Sequence, residues 1–328
     1  MDFRLTEDQE ALRDGVRSFC EGRVPVEALA DLEKTGGFDA SLWSELAELG
    51  VFALRLGEAD GGVGLGTADA VVVFAELGRR LVPGPLVWSH LAAGAGLVPG
   101  AGTGEVVVGG LDCTAGESGP ILVEHLESLH ALLVLQRDGV FRVDPKTLDA
   151  QAVATPTDPL TPLHHVATLP AGDRVGDADD AARLRLEGAA LTSGLLLGIA
   201  QETQSLAVAY AMEREQFGRP IGSFQSIKHI LADMYVRQQI ARAAVYAAGA
   251  TVDDPEVGDV ARAISSAKLN AGEAAMKNAR ACIQVYGGMG YTWEVPAHYY
   301  LKRTWVLENV FGNVAEHADR VAAQLSRS

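Results

Sequence analysis

The chain has 328 residues, a formal net charge of −16, and 48% hydrophobic but only 6% aromatic residues, a composition that predicts helix packing by Ala, Leu and Val. A chain of this length can bury a substantial core and is expected to form two or three domains. The charge argues against a nucleic-acid partner, because a phosphate backbone would be repelled, and the three widely spaced cysteines offer neither a disulfide framework nor a metal site.

Residues 1–99 are predicted to form a helical domain. Thr6 and Gln9 fit a capping box, and a second helix is expected to begin at Asp39. The residues that this second helix is expected to bury are Leu42, Leu46 and Leu49. The sequence starts without a basic, apolar leader and contains no run near the roughly 18 apolar residues that span a bilayer. We therefore expect a soluble, cytoplasmic protein that does not enter a membrane.

Residues 100–177 are predicted to form a small β domain. Short apolar or alternating runs are separated here by Gly, Asp and Pro, the pattern of strands joined by turns. Asp138 and Gly139 are expected to form a hairpin turn. The predicted strand runs are 106–108, 121–123, 131–135, 141–143 and 166–169.

Residues 178–328 are predicted to be helical again. One long helix is expected to end at Glu213, a second to begin behind a cap at Ser223, and a third to run from 255 to 286. Pro296 opens a further helix. The expected fold is therefore mainly α with a small central β domain, and it ends in a four-helix bundle.

The motif R-x-Q-F-G-x-P-I-x-x-F-Q lies where the long helix ends and the next one begins. If the two helices that flank the motif are antiparallel neighbours, Arg214, Phe217 and Gln225 lie close together at the end of the pair where the chain connects them. A guanidinium can hold a pyrophosphate with two hydrogen bonds, a phenyl ring can lie against a heteroaromatic ring, and a primary amide can read donor and acceptor edges. The alternative interpretation is an arginine paired with Glu213 or Glu215 on a solvated face.

Gln284, Gly287 and Gly288 belong to a second motif, Q-x-x-G-G-x-G-Y, after another long helix. In this order, the two motifs resemble those of the acyl-CoA dehydrogenase family. The resemblance covers the whole chain and implies the fold of that family, FAD as the cofactor and α,β-dehydrogenation of a CoA thioester. Glycine suits the second motif because only glycine lets the backbone approach a cofactor closely. The alternative for Gly287 and Gly288 is a helix cap followed by a turn.

The resemblance also implies how a flavin would be shared between chains. In dimers of this family, the middle domain of one subunit holds the flavin, and the R-x-x-F-G, F-Q and Q-x-x-G-G elements of its neighbour contact the adenosine diphosphate half. The sequence lacks the Y-x-x-T-E-P-x-A-G-S-D and W-I-T-N segments that line the flavin in the family. It retains the residues that we call the nucleotide-contacting set: Arg214, Phe217, Gln225, Gln284, Gly287 and Gly288.

The catalytic base is where the sequence departs most from the family. Family members remove the α-proton of the thioester with a carboxylate while a hydride leaves the β-carbon for the flavin. At one of the two family positions for this base the chain has Phe311, whose phenyl ring cannot take a proton, and at the other it has Gly188. The remaining candidates for the base are Glu187, which is next to Gly188, and in second place Glu308. The alternative for both is a solvated surface position.

Three functions remain open from the sequence. The first is a subunit without a base in a hetero-oligomeric, α2β2 acyl-CoA dehydrogenase, similar to short chains of bacterial sterol breakdown. A longer partner chain would then supply the base and the flavin ring pocket, the acyl-CoA substrate would be steroid-derived, and electron-transfer flavoprotein would be the acceptor. The second is a self-sufficient homo-oligomeric enzyme with Glu187 or Glu308 as its base. The third is a flavin-free scaffold subunit.

No metal site is predicted from the histidines. His125, His130, His164 and His165 have no carboxylate or cysteine companions at ligand spacing in the sequence. We therefore expect all four to occupy exposed positions in loops or strands.

Overall fold

The computed structural model describes residues 4–116 and 119–325, and the chain divides into two compact units. The first unit consists of Met1–Leu29, Val71–Val82 and Ala190–Ser328, and the second consists of Ala30–Ala70 and Pro83–Ala189. Most described residues are helical and two small sheets lie in the second unit, which confirms the predicted fold class. The boundaries predicted at residues 99 and 177 both fall within the second unit.

Short polar side chains cap the first and the third of the helices before the sheets. Thr6 accepts a hydrogen bond from the Gln9 amide, and the Gln9 side chain accepts one from the Thr6 amide, which confirms the capping box. Asp39 caps the third helix in the same way. The helices are α1 (Glu7–Arg23), α2 (Leu29–Lys34), α3 (Ala40–Glu48), α4 (Thr67–Arg79) and α5 (Leu86–Gly94).

One of the three leucines assigned to the core of α3 is not buried. Leu42 and Leu46 are buried as predicted, but the side chain of Leu49 is 40% exposed. The helix ends at residue 48, and Gly50 follows with a φ of +85° that turns the chain. Val51, after this turn, is buried instead. The prediction for Leu49 was wrong because the helical period does not continue through the cap.

The two sheets are built from strands β1 to β7, which are Val108–Asp112, Ile121–Glu124, Ala131–Gln136, Gly139–Val143, Ala150–Ala152, Leu163–Val166 and Asp173–Gly176. One sheet has the order β1-β3-β4-β7, and its β1 and β3 are parallel. The other has the order β2-β6-β5 and is antiparallel. Ser89 links α5 to β1, because its hydroxyl donates to the carbonyl of Val108 at 3.0 Å.

Strand positions were predicted less well than helices. A hairpin is present between β3 and β4, but its turn residues are Arg137 and Asp138, one position earlier than predicted, because Gly139 already pairs with Gln136. The run 166–169 was wrong, since the strand there is β6, whose residues 163–166 pair with β2 and partly with β5. β5 and β7 were missed because they are only three and four residues long and are partly exposed, so neither shows an apolar or alternating run.

The C-terminal helices are α6 (Ala178–Glu213), α7 (Gln225–Asp253), α8 (Val260–Tyr286), α9 (Ala297–Leu307) and α10 (Val314–Leu325). The predicted end of α6 is confirmed. Ser223 does not cap α7: its hydroxyl donates to the carbonyl of Pro220 at 2.7 Å. The third helix begins at residue 260 rather than 255, because Asp259 caps it by accepting from the Arg262 amide at 2.7 Å.

The first unit is organised around α8. Ile264, Ala267, Ala271 and Ala275 form a fully buried stripe on this helix, as their helical spacing predicts. α7, α9 and α10 all pack against α8. Through the part of the chain that the structure describes, no helix combines the length and the apolar character needed to cross a membrane.

Candidate functional site

The first motif forms a hairpin between α6 and α7. Strands β8 (Glu215–Gln216) and β9 (Arg219–Pro220) pair antiparallel, and Phe217 and Gly218 form the turn between them. Both turn residues have positive φ angles, +53° and +78°, as a tight hairpin turn requires. A phenylalanine rarely adopts this conformation, and its side chain is 92% exposed. Neither backbone preference nor burial explains Phe217, so a contact outside the chain is the better explanation.

Arg214 connects α6 to this hairpin. Its amide donates to the carbonyl of Tyr210, and its carbonyl accepts from the Ile221 amide, both at 2.8 Å, so the backbone is held on both sides. Its side chain is exposed, and within the described part of the chain the guanidinium forms no ion pair, with Glu213 and Glu215 included. The alternative interpretation was correct about the exposed position, but the expected pairing with a neighbouring glutamate is not found among the described residues. An unpaired guanidinium on a fixed backbone suits phosphate oxygens.

Gln225 is the first residue of α7 and lies beside the hairpin. Its side-chain nitrogen is 3.2 Å from Nε2 of His229, one turn further along the helix. The ring of Phe224 meets the ring of Phe217 edge to face, with centroids 6.1 Å apart, and the Arg219 guanidinium lies 4.2 Å above the Phe224 ring. The motif thus presents aromatic, amide and cationic groups on one exposed surface.

The second motif ends α8. Gly287 caps the helix with a φ of +63°, so the cap interpretation is correct for the backbone. A Cβ built on Gly287 or on Gly288 would meet no heavy atom within 4 Å. Gln284, one turn earlier, is exposed. The space above the two glycines is therefore open, and it allows a ligand to approach the backbone closely.

The two motifs lie at the same end of the first unit. The ring of Tyr210, one turn before Arg214, stacks on the ring of Tyr286 with centroids 4.2 Å apart. Burial raises the pKa of Tyr286 to about 12, so this phenol stays protonated at neutral pH. The Tyr210 hydroxyl also lies 3.8 Å from the sulfur of Met289. This end of the unit fits the adenosine diphosphate half of FAD: it offers an unpaired guanidinium, an exposed ring, two amides and an open glycine backbone.

Phe311 occupies the first family position of the catalytic base. Its side chain is 1% exposed, and its φ is +57°. The carbonyl of Phe311 lies 3.1 Å from Nε2 of His317, whose Nδ1 is 3.1 Å from the Ser265 hydroxyl. The position is thus filled by a buried phenyl ring.

Lys268 fixes the same loop from α8, and sequence reasoning missed it. Its buried ammonium group donates to the carbonyls of Val310 at 2.7 Å, Gly312 at 3.0 Å and Glu308 at 3.3 Å. The sequence did contain a signal, because this lysine directly follows Ala267 in a stripe of buried residues. A lysine in such a stripe needs acceptors, and the end of a neighbouring helix supplies them.

Glu187 is buried, with 6% of its surface exposed, so the expectation of a solvated surface position was wrong. Its carboxylate lies 3.0 Å from the Arg55 guanidinium and 3.4 Å from that of Arg183. A general base needs a lone pair directed at the substrate proton, and here two guanidiniums occupy the carboxylate. The role of Glu187 as the base stays a prediction, and this geometry counts against it.

The four histidines considered for a metal site differ in their exposure. His130 and His165 are exposed as predicted, but His125 and His164 are buried. Nε2 of His164 lies 3.5 Å from the carboxylate of Glu127, a companion that sequence spacing did not reveal. Within residues 4–116 and 119–325, no group of three or more His, Cys, Asp or Glu side chains is arranged to hold a metal ion.

Family models match most of the chain. The model of the acyl-CoA dehydrogenase C-terminal domain matches residues 182–326, and the model of the N-terminal domain matches residues 6–106. Acyl-CoA dehydrogenase IpdE2 of Mycolicibacterium smegmatis is 32% identical, and the alignment covers 98% of this chain and 100% of IpdE2.

Two solved structures are similar over their full length. A chain of the ChsE4-ChsE5 complex from Mycobacterium tuberculosis matches with a TM-score of 0.87 and 26% identity. The match covers 100% of this chain and 100% of the chain in that complex. The Tcur3481-Tcur3483 steroid acyl-CoA dehydrogenase matches with a TM-score of 0.85 and 24% identity over 98% of each chain. The second similarity is one of fold alone.

Proposed function

The chain belongs to the acyl-CoA dehydrogenase family, and from that premise we propose that it is the subunit of a hetero-oligomeric enzyme that lacks the catalytic base. In this role it binds the nucleotide half of an FAD whose flavin ring lies in a partner chain. One contrast carries the proposal. The nucleotide-contacting set is exposed at one end of the first unit, whereas a buried phenyl ring fills the family position of the base.

The members of the nucleotide-contacting set have separate roles in this proposal. Arg214 binds the pyrophosphate, the ring of Phe217 lies against the adenine or ribose, and Gln225 and Gln284 donate and accept hydrogen bonds. The glycines after Gln284 allow the cofactor to reach the backbone. FAD, when bound, accepts the hydride from the β-carbon of the thioester.

Removal of the α-proton is assigned to the partner chain. Phe311 cannot take a proton, and the carboxylate of Glu187 is engaged by Arg55 and Arg183. Glu308 lies at the end of α9, where its carbonyl accepts from Lys268. Phe311 and Glu187 therefore offer no carboxylate free to act as a base, and Glu308→Gln, which should leave turnover of the complex unchanged, tests the remaining candidate.

The partner is a second acyl-CoA dehydrogenase chain, and the arrangement is an α2β2 hetero-oligomer. A structural relative at 26% identity is itself a complex of two different chains, ChsE4 and ChsE5, which supports this assignment. The acyl-CoA substrate is steroid-derived and the acceptor is electron-transfer flavoprotein. These two assignments rest on the resemblance of the whole chain to short subunits of sterol breakdown.

Expression of the chain alone and together with a candidate partner chain tests the proposal. The chain alone should carry no stoichiometric flavin and should not turn over an acyl-CoA, whereas the complex should do both. Arg214→Ala should lower flavin affinity of the complex by at least about tenfold, because a bidentate pyrophosphate contact is lost. Arg262→Ala, which removes an exposed arginine near the start of α8, is the matched control and should retain flavin.

The same experiment distinguishes the other two functions. Stoichiometric flavin and turnover from the chain alone, with a loss of several powers of ten in Glu187→Gln, would establish a self-sufficient enzyme. Unchanged flavin content in the Arg214→Ala complex would instead indicate a scaffold that does not contact the cofactor.

A further inference from the structure

A cavity of about 850 Å³ lies between the start of α1 and the middle of α7, within the first unit and apart from the nucleotide-contacting set. The polar residues that line it are Arg4, Thr6, Glu10, Arg13, Gln239, Arg242 and Tyr246. We propose that this cavity binds a small molecule that carries a diphosphate, such as a nucleoside diphosphate. This site is independent of the proposed function.

The charge of the cavity differs from the charge of the chain. The protein carries a formal net charge of −16, yet three guanidinium groups line this cavity against one carboxylate, that of Glu10. Asp14 also pairs with Arg13, with its carboxylate 2.8 Å from Nε. Arginines therefore outnumber carboxylates in this lining, although the protein as a whole is anionic.

Two of the arginines have free donor groups. Arg242 forms no ion pair with any residue of the described chain, and Arg13 uses only Nε, so its terminal nitrogens have no hydrogen-bond partner there. The neighbouring Arg17 shows the contrast, because its Nε and one terminal nitrogen donate to the Glu76 carboxylate, at 3.0 Å and 2.8 Å. Free guanidinium forks match the oxygens of phosphate in geometry and charge.

One face of α7 lines the cavity with polar side chains. Gln239, Arg242 and Tyr246 are spaced three and four residues apart, so they lie on one side of the helix. Ala243, between them, leaves room. Burial raises the pKa of Tyr246, so its hydroxyl remains a donor at neutral pH. The cavity is also much larger than a single phosphate ion, which favours a ligand with further groups attached to the diphosphate.

Calorimetric titration of the full-length chain with inorganic pyrophosphate and with ADP tests the site. Both titrations use the Arg214→Gln background, because the nucleotide-contacting set can itself bind a diphosphate. Arg242→Gln should then weaken binding of both probes by at least about tenfold, since a bidentate contact is lost. Arg280→Gln carries the same change in net charge outside the cavity and should stay within about twofold.

Binding of pyrophosphate or ADP unaffected by Arg242→Gln would overturn the proposal. Equal weakening by Arg280→Gln would do the same, because the effect would then come from net charge alone. Tighter binding of ADP than of pyrophosphate indicates that the nucleoside is also recognised. If Arg242→Gln fails to fold, Arg242→Lys keeps the charge but removes the fork, and it should still weaken pyrophosphate binding severalfold. Flavin content of the complex should be unchanged in either variant.

Discussion

Phe217 and Phe311 both have left-handed backbone conformations, yet their surroundings are opposite. Phe311 is 1% exposed, and contacts from Lys268 and His317 hold the loop around it. Phe217 is 92% exposed at the tip of a hairpin. A non-glycine residue in this conformation costs about 1 kcal/mol or more. Packing offsets that cost at Phe311, whereas the exposed ring of Phe217 has an edge-to-face contact with Phe224 but is not buried, which favours a further contact with the proposed cofactor.

Lys268→Met should lower the free energy of unfolding by roughly 2–3 kcal/mol, because three carbonyl groups lose a charged donor in a mostly buried loop. Urea denaturation measures the change. Lys277→Met is the matched control on the same helix. Its ammonium group is exposed and pairs with Glu273, and such pairs contribute about 0.5 kcal/mol or less. Equal effects of the two substitutions would contradict a structural role for Lys268.

The contact between α4 and α6 in the first unit depends on glycine. A Cβ on Gly198 would lie 2.0 Å from the carbonyl oxygen of Ala75, and one on Gly78 would lie 2.2 Å from that of Leu195. Both distances are far below van der Waals contact. The two helix backbones therefore touch, and no larger residue fits at either position without a shift of a helix.

Gly198→Ala should destabilise the protein by about 2–3 kcal/mol, because overpacking against a backbone outweighs the gain in helix propensity. Gly272→Ala on α8 is the control, since a Cβ there meets no heavy atom within 4 Å. This control should stabilise the protein by up to about 1 kcal/mol. Thermal unfolding of both variants measures the difference, and a neutral Gly198→Ala would show that the helices can separate at little cost.

The elements that sequence reasoning predicted well are those with local signals. Thr6, Asp39 and Gly50 mark helix ends through contacts with residues a few positions away, so their roles were visible in the sequence. The two-residue turn at Phe217 was not predicted as a hairpin, because phenylalanine is atypical there. Arg55 and Glu187 pair across 132 positions, and no periodicity marks such a contact.

At the scale of the whole molecule, apolar side chains are exposed beside both motifs. Met212 is 70% exposed just before Arg214, and Tyr291 and Trp293 are 82% and 70% exposed just after the glycines of the second motif. Exposed apolar groups that cluster near a site favour burial by another chain. The residues proposed to bind FAD thus lie next to a surface suited to the partner subunit.

If the flavin site is shared in this way, the complex should contain one FAD for each pair of unlike chains. In this proposal, the chain supplies contacts to the nucleotide half but neither a base nor the family segments that line the flavin ring. A second site in which this chain held the flavin ring and the partner held the nucleotide half would therefore lack the base and those segments. Visible absorbance of the purified complex, compared with its protein content from amino-acid analysis, gives the ratio of FAD to protein.

Phe217→Ala should lower this ratio while the complex still assembles. Tyr235→Ala, which changes an exposed aromatic residue of α7 outside the motifs, should leave it unchanged. One FAD for every chain would mean that this subunit houses a flavin of its own, and the division of the site between two chains would then be wrong.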